Sequence, residues 1–153
     1  MDFPRSRYEG ARDVLGEGPV ECDLMFVGEA PGADEDEAGS PFVGRSGKFL
    51  TKLVSFFVKR ERASYYVTNV AKHRPPDNRT PTPDEVRHYL PYLTDEVERV
   101  NPAVVVTLGA TAGRVFLPDL RLKRDAGVAK RATLGAWAGI VVPWFHPAFA
   151  LRA

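Results

Sequence analysis

Four short apolar stretches recur along the chain between longer segments of mixed polarity: residues 24–27, 65–70, 103–108, and 140–142 leading into Pro143-Trp144-Phe145. Near-continuous apolar and β-branched character over so few residues is the pattern of strands buried on both faces, as in a parallel sheet covered by helices. Between them, residues 46–59 set Phe49, Leu50, Leu53, Phe56 and Phe57 near helical spacing, which predicts one apolar stripe. Thr82 precedes Pro83 and is followed by Glu85, an N-cap signature that opens a helix running to about Val100, where Asn101-Pro102 ends it. Gly109 to Phe116 predicts a short helix stopped near Pro118, and residues 120–134, basic and irregular, read as a surface excursion. No internal repeat, heptad array or low-complexity tract interrupts this order. The alternation predicts a single α/β domain over residues 1–153, a three-layer α/β/α sandwich around a central four-stranded parallel sheet.

Composition agrees with that frame: 153 residues, 44% hydrophobic and 27% charged, are those of a soluble globular domain with a sizeable core. No apolar run approaches the roughly 20 residues that span a bilayer. The opening Met1-Asp2-Phe3-Pro4-Arg5 lacks the apolar core of a signal peptide, so a cytoplasmic location and no membrane partner are expected. The single cysteine, Cys22, excludes an internal disulfide and a cysteine-built metal cage, and reads as a small apolar residue entering the first strand. The net charge of +1 hides an asymmetry: residues 1–37 hold three basic and eleven acidic side chains, the remainder eighteen and nine. Basic clusters at Lys59-Arg60 with Arg62, at Lys72-His73-Arg74 with Arg79, and at Arg121, Lys123, Arg124, Lys130 and Arg131 suit contacts to a polyanion, although scattered surface cations look the same in sequence.

Candidate chemistry gathers where the strands end, which in this architecture is one rim of the sheet. The first strand leads into Gly28-Glu29-Ala30-Pro31-Gly32, a tight loop whose glycines let backbone amides approach a ligand, with Glu29 beside them. The acidic run Asp34-Glu35-Asp36-Glu37 follows, ordinarily the mark of a solvated loop, then Ser40-Pro41-Phe42-Val43-Gly44-Arg45, where Phe42 offers either an aromatic face to a planar ligand or a core plug. The second strand ends at Thr68-Asn69, and an Asn there can read a nucleobase edge or merely bond local backbone. The fourth ends at Phe145-His146-Pro147, where His146 is a candidate proton donor or anion stabiliser. Gly44-Arg45-Ser46-Gly47-Lys48 looks like a phosphate-binding P-loop but has Phe42 and Phe49 where that pattern needs Gly and Ser or Thr. No two-cysteine, HExxH or EF-hand pattern supports a metal, and no cofactor is expected.

Taken in order, Gly28-Glu29-Ala30-Pro31-Gly32 with Glu35-Asp36, Pro41-Phe42-Val43-Gly44-Arg45, Thr68-Asn69, Lys72-His73-Arg74-Pro75-Pro76, Val106-Thr107-Leu108-Gly109 and His146-Pro147-Ala148 resemble family 4 uracil-DNA glycosylases across nearly the whole chain. The resemblance implies hydrolysis of the N-glycosidic bond of uracil in DNA, with uracil-containing DNA as partner and the protein acting as a monomer. A base must leave the stack to be reached, so such an enzyme needs a stacking face, an edge reader and a wedge. On the resemblance Phe42 stacks on the ring and Asn69 bonds its Watson–Crick edge. Backbone around Gly28, Ala30, Pro31 and Gly32 completes the pocket, and His146 hydrogen-bonds O2 of the departing base. Phe149, Leu151 and Arg152 form the wedge and a phosphate contact, with Leu151 inserted, while Lys72, Arg74 and Asn78 face DNA.

Two departures sharpen the expectation. A related family places a water-activating Asp where this chain has Ala30, which leaves Glu29 or Glu35 to orient water or stabilise the cationic sugar. Members of the resembled family usually hold a four-iron, four-sulfur cluster on four cysteines, two of whose positions are here His73 and Tyr89, and residues 1–12 contain no cysteine, so packing around His73 and Tyr89 is expected in place of the cluster. A zinc site on His73 and His88 would lack further soft ligands nearby. Two competing readings are a catalytically silent protein that binds nucleic acid or damaged bases through the same pocket, and a small-nucleotide enzyme on the same sheet.

Overall fold

Five strands, not four, make the central sheet, in the order β2-β1-β3-β5-β4. The computed structural model describes residues 1–148. β1 (Leu24–Gly28), β2 (Tyr66–Asn69), β3 (Val104–Leu108) and β5 (Trp137–Trp144) run parallel to their neighbours, as the apolar stretches predict. The additional strand, β4 (Lys130–Leu134), pairs antiparallel with β5 and makes the sheet mixed. It lies within residues expected to be an irregular excursion, which also hold the short helix α5 (Leu122–Asp125). Its first four residues, Lys130-Arg131-Ala132-Thr133, are charged, small or polar because β4 is an edge strand with little apolar surface to bury, and charge on an edge keeps other strands away.

Side chains alternate across the sheet as the pleat requires. Met25 and Val27 of β1, Val105 of β3 and Val141 of β5 pack on one face against Leu93, Val97 and Val100 of α3 (Pro83–Val100) and Ala112 and Phe116 of α4 (Ala110–Phe116). Phe26, Val67 and Leu108 point to the opposite face and meet Leu50 and Val54. Leu50 belongs to α2 (Arg45–Leu53), which is shorter than the predicted stripe, because the chain passes into a π-helical turn at Val54–Val58. Phe56 and Phe57 end up in solvent, 67% and 72% exposed. α1 (Ala33–Ala38) carries the acidic run. α3 begins as its signature predicts, with Thr82 accepting from the Glu85 amide and the Glu85 side chain accepting from the Thr82 amide, and ends at Asn101 in the left-handed region. None of the described helices is long and apolar enough to cross a membrane.

The segment before β1 is built into the domain. Glu17 exchanges two backbone hydrogen bonds with Val67, both 2.9 Å, on the edge of β2 that β1 leaves open. Further up, His73 is fully buried, with Nδ1 2.7 Å from the Tyr89 hydroxyl and Nε2 2.7 Å from Asp13 Oδ1. The Arg7 amide also donates to that hydroxyl, and Phe3 stands edge-on to His73. This seam of rings joins the N-terminal segment to α3.

Candidate active site at the strand ends

β1, β2, β3 and β5 finish on the same rim, and a cavity of about 460 Å³ opens there. That volume falls in the range of small-molecule sites. Its lining includes Glu29, Ala30, Pro31, Gly32, Glu35, Phe42, Asn69, Asn78 and His146, so nine of the expected site residues meet in one place although they are spread from residue 29 to residue 146. Ser46, Gly47, Pro75, Arg79 and Thr80 line it as well and were not assigned to the pocket from sequence.

Gly28, also expected in the pocket, is not among the lining residues but lies directly behind two of them. A methyl built on it would lie 2.5 Å from Asn69 Oδ1 and 2.7 Å from the Phe42 ring, so the absent side chain is what lets the amide and the ring approach each other. Phe42 sits at φ 56°, a backbone region that a bulky residue enters only when its surroundings impose it. Glu35 supplies the constraint: one carboxylate oxygen accepts from the Gly32 amide at 3.0 Å, and the other from Val43 at 3.0 Å and Gly44 at 2.6 Å. The Glu35 carboxylate thereby ties the Gly28–Gly32 loop to the loop carrying Phe42. Gly47 completes the fit, since a methyl there would collide with the Phe42 carbonyl.

The two candidate acids are thus placed differently. Both line the cavity, but Glu35 spends both oxygens on backbone amides, whereas Glu29 is half-buried beside Thr80 and Thr111. Burial pushes the Glu29 carboxyl above its ordinary value, against the opposing pull of hydrogen bonds from Thr111 and Thr80. Across the rim the Ala148 amide donates to His146 Nδ1 at 3.0 Å. An accepting Nδ1 leaves the proton of the neutral ring on Nε2, which makes that nitrogen a donor. At Gly109, φ 92° after β3, a methyl in place of the hydrogen would stand 3.7 Å from the His146 Cβ.

On the cationic side, Arg79 forms a bidentate pair with Glu85 at 2.7 and 2.9 Å. That pair, with the Thr82 amide, holds the Glu85 carboxyl down at about 2. Arg74 donates through Nε to Asn78 Oδ1 at 2.8 Å, and Asn78 occupies the left-handed region at φ 58°. Other members of the basic clusters are paired too: Arg60 with Asp23, Arg62 with Glu17, and Arg124 and Lys130 with Asp125.

One expected DNA contact is overturned. Lys72 is completely enclosed and its ammonium is hydrogen-bonded to Glu96, Thr68 and the Asn69 carbonyl, so it cannot reach a phosphate. The expected wedge residues Phe149, Leu151 and Arg152 lie outside the described residues. At His73 and Tyr89, where the resemblance implies cluster cysteines, the donors do not suit iron and sulfide: His73 has both ring nitrogens engaged and Tyr89 offers a phenol, while Cys22, elsewhere and just before β1, has its thiol directed to the Leu24 and Ser64 carbonyls. His88 Nε2 is engaged with the Arg5 carbonyl, and no group of metal-binding side chains forms among the described residues.

Comparison with known proteins places this geometry in context. The family model for the uracil DNA glycosylase superfamily matches residues 15–153. The chain is 48% identical over 143 residues to the type-4 uracil-DNA glycosylase of Archaeoglobus fulgidus, covering 90% of this chain and 71% of that protein. It is 43% identical to the Thermotoga maritima type-4 enzyme, over 91% and 71% of the two chains, and 38% identical to that of Saccharolobus solfataricus, over 90% and 66%. It therefore spans about two thirds of the length of the curated relatives it matches.

Proposed function

The chain belongs to the uracil DNA glycosylase superfamily, and from that premise we propose that it is a DNA-repair enzyme that flips uracil out of DNA and hydrolyses its N-glycosidic bond. The observation that carries the reading is the meeting of the Phe42 ring and the Asn69 amide over the bare Cα of Gly28, with Glu29 and His146 lining the same cavity. A planar base needs a face to stack on and a reader along its edge, and the closeness of ring and amide supports that reading.

In the proposed reaction uracil stacks on Phe42. Asn69 accepts from N3–H and donates to O4, a pattern that cytosine, with an unprotonated N3 and an amino group at C4, does not match. The bond between C1′ and N1 breaks, its electron pair leaves with the base, and charge accumulates on O2. His146 Nε2–H donates to that oxygen in an electrostatic role already in place before reaction. The sugar becomes oxocarbenium-like, and Glu29, ionised, stabilises it and orients the water whose oxygen joins C1′ while its proton is lost to the carboxylate and solvent. Glu35 is a positioning residue here, because its oxygens are committed to the loop. Leu151 serves as wedge and Arg152 as phosphate contact, Arg74 and Asn78 face the DNA, and the protein works as a monomer.

No step passes through a metal or cluster. The hydrogen-bonded seam of His73, Tyr89 and Asp13 ties the N-terminal segment to α3 at the place where the resemblance implies cluster ligands.

The test is incubation with a uracil-containing oligonucleotide followed by alkali. Strand breaks at the uracil are expected, and none above a His146→Ala, Glu29→Gln double variant would overturn the reading. Salt-sensitive DNA binding without base release would instead identify a silent binder.

A further inference from the structure

Lys72 has no place in the reaction as proposed, yet it is among the most completely buried cations a fold of this size can hold. Its ammonium has three protons and three acceptors: Thr68 Oγ1 at 2.6 Å, Glu96 Oε1 at 2.8 Å and the backbone carbonyl of Asn69. Glu96, on α3 and 1% exposed, also accepts from Thr68 at 2.9 Å and from the Tyr66 hydroxyl at 2.6 Å. The network is closed from above by Gly16, where any side chain would strike Glu96, Tyr66 and Thr68.

The location of the third acceptor is informative. β2 is an edge strand, paired only with β1. Val67 turns its amide and carbonyl to the outer edge, where Glu17 takes both. Asn69, two residues further, turns its carbonyl to the same edge, and there the partner is not backbone but the Lys72 ammonium. The strand's last residue, whose side chain faces the cavity, is thus anchored by a charge-assisted bond rather than by an ordinary ladder bond.

We propose that Lys72 is a positioning residue for Asn69, its buried ammonium fixing the backbone from which the amide reads the base, with Glu96 as the counter-charge that permits burial. The proposal rests on the reading of Asn69 as the edge reader. Base discrimination through one amide needs the backbone that carries it held to within a fraction of an ångström, and a charge-assisted bond at that backbone serves this. The arrangement gives Lys72 influence on the reaction although it touches neither base nor sugar.

A double-mutant cycle tests it, with single-turnover uracil release as readout. Lys72→Met with Glu96→Gln removes both charges together, which avoids a lone buried ion. Release is expected to slow about tenfold in the wild-type background and less than twofold in an Asn69→Ala background, since the anchor then has nothing to aim. Equal slowing in both backgrounds, or none in either, overturns the proposal. A wild-type rate in Asn69→Ala alone overturns the reader assignment, a separate failure. Tyr66→Phe loosens the network at its far end without touching Asn69: it should lower the denaturation midpoint and leave the release rate within twofold, whereas a rate loss as large as that of the charge-free pair would reduce the network to a structural one.

Discussion

In the seam beneath the N-terminal segment, His73 has Tyr89 on one ring nitrogen and Asp13 on the other and is fully buried, whereas His146, with Nδ1 accepting from a backbone amide, lines the cavity. The carboxylates repeat the contrast. Glu96 is enclosed with three protein donors, Glu35 gives both oxygens to backbone amides although it lines the cavity, and Glu29 lines the cavity with burial holding its carboxyl above the ordinary value. Residue type therefore does not separate structure from chemistry here. The distinction is whether a group is closed within the fold, as His73 and Glu96 are, or lines a space that a ligand can enter, as His146 and Glu29 do.

The contrast is broken most directly by exchanging its two histidines for apolar residues. His146→Ala should slow uracil release by about 10²–10³-fold while moving stability by less than about 0.5 kcal/mol, measured by single-turnover kinetics and urea denaturation. His73→Leu should do the reverse, costing about 2–3 kcal/mol by leaving Tyr89 and Asp13 without their partner, with little change in the rate of the folded protein. The same site gives a pH signature. Burial holds the His73 pKa below its ordinary 6.5 despite the opposing pull of Asp13. Below that pH the unfolded chain takes up a proton that the folded one refuses, so stability is fully present above about 6.5 and falls as the solution is acidified. His73→Leu should flatten that slope, and an unchanged slope would assign it to other groups.

A finer division runs through the cavity itself. Glu35→Gln keeps the shape of the clamp but replaces an acceptor with a donor facing backbone amides. We expect KM to rise about threefold to tenfold with kcat changed less, since Phe42 loses its alignment and Glu29 is untouched. A fall in kcat alone, with a lost acid limb in the pH profile, would move Glu35 from holding the loop to acting on the substrate.

Much of this was legible in the chain. The apolar runs located four strands, and Thr82-Pro83-Asp84-Glu85 located the start of α3, because both signals are local. β4 was not, since Lys130-Arg131-Ala132-Thr133 belongs to an edge and carries no apolar run. Phe56 and Phe57 extended the predicted stripe of α2 because their spacing is helical, but the π-helical turn carries them off the core. In the site, glycine punctuation marked the loops correctly, and Gly28, Phe42 and Asn69 converge as their residue types suggest. Lys72 misled because it stands in a basic cluster, while the acid that buries it lies 24 residues away on a helix whose charges look solvated. Such pairing at a distance has no local signal.

The bridge between Glu17 and Val67 has a practical reach. It caps the outer edge of β2, so the residues ahead of the first strand serve as a guard rail for the sheet and not as a dispensable leader. Trimming the chain past Glu17 would bare a strand edge of the kind that recruits other chains, and the shortened protein would be prone to aggregate before any question of catalysis arose.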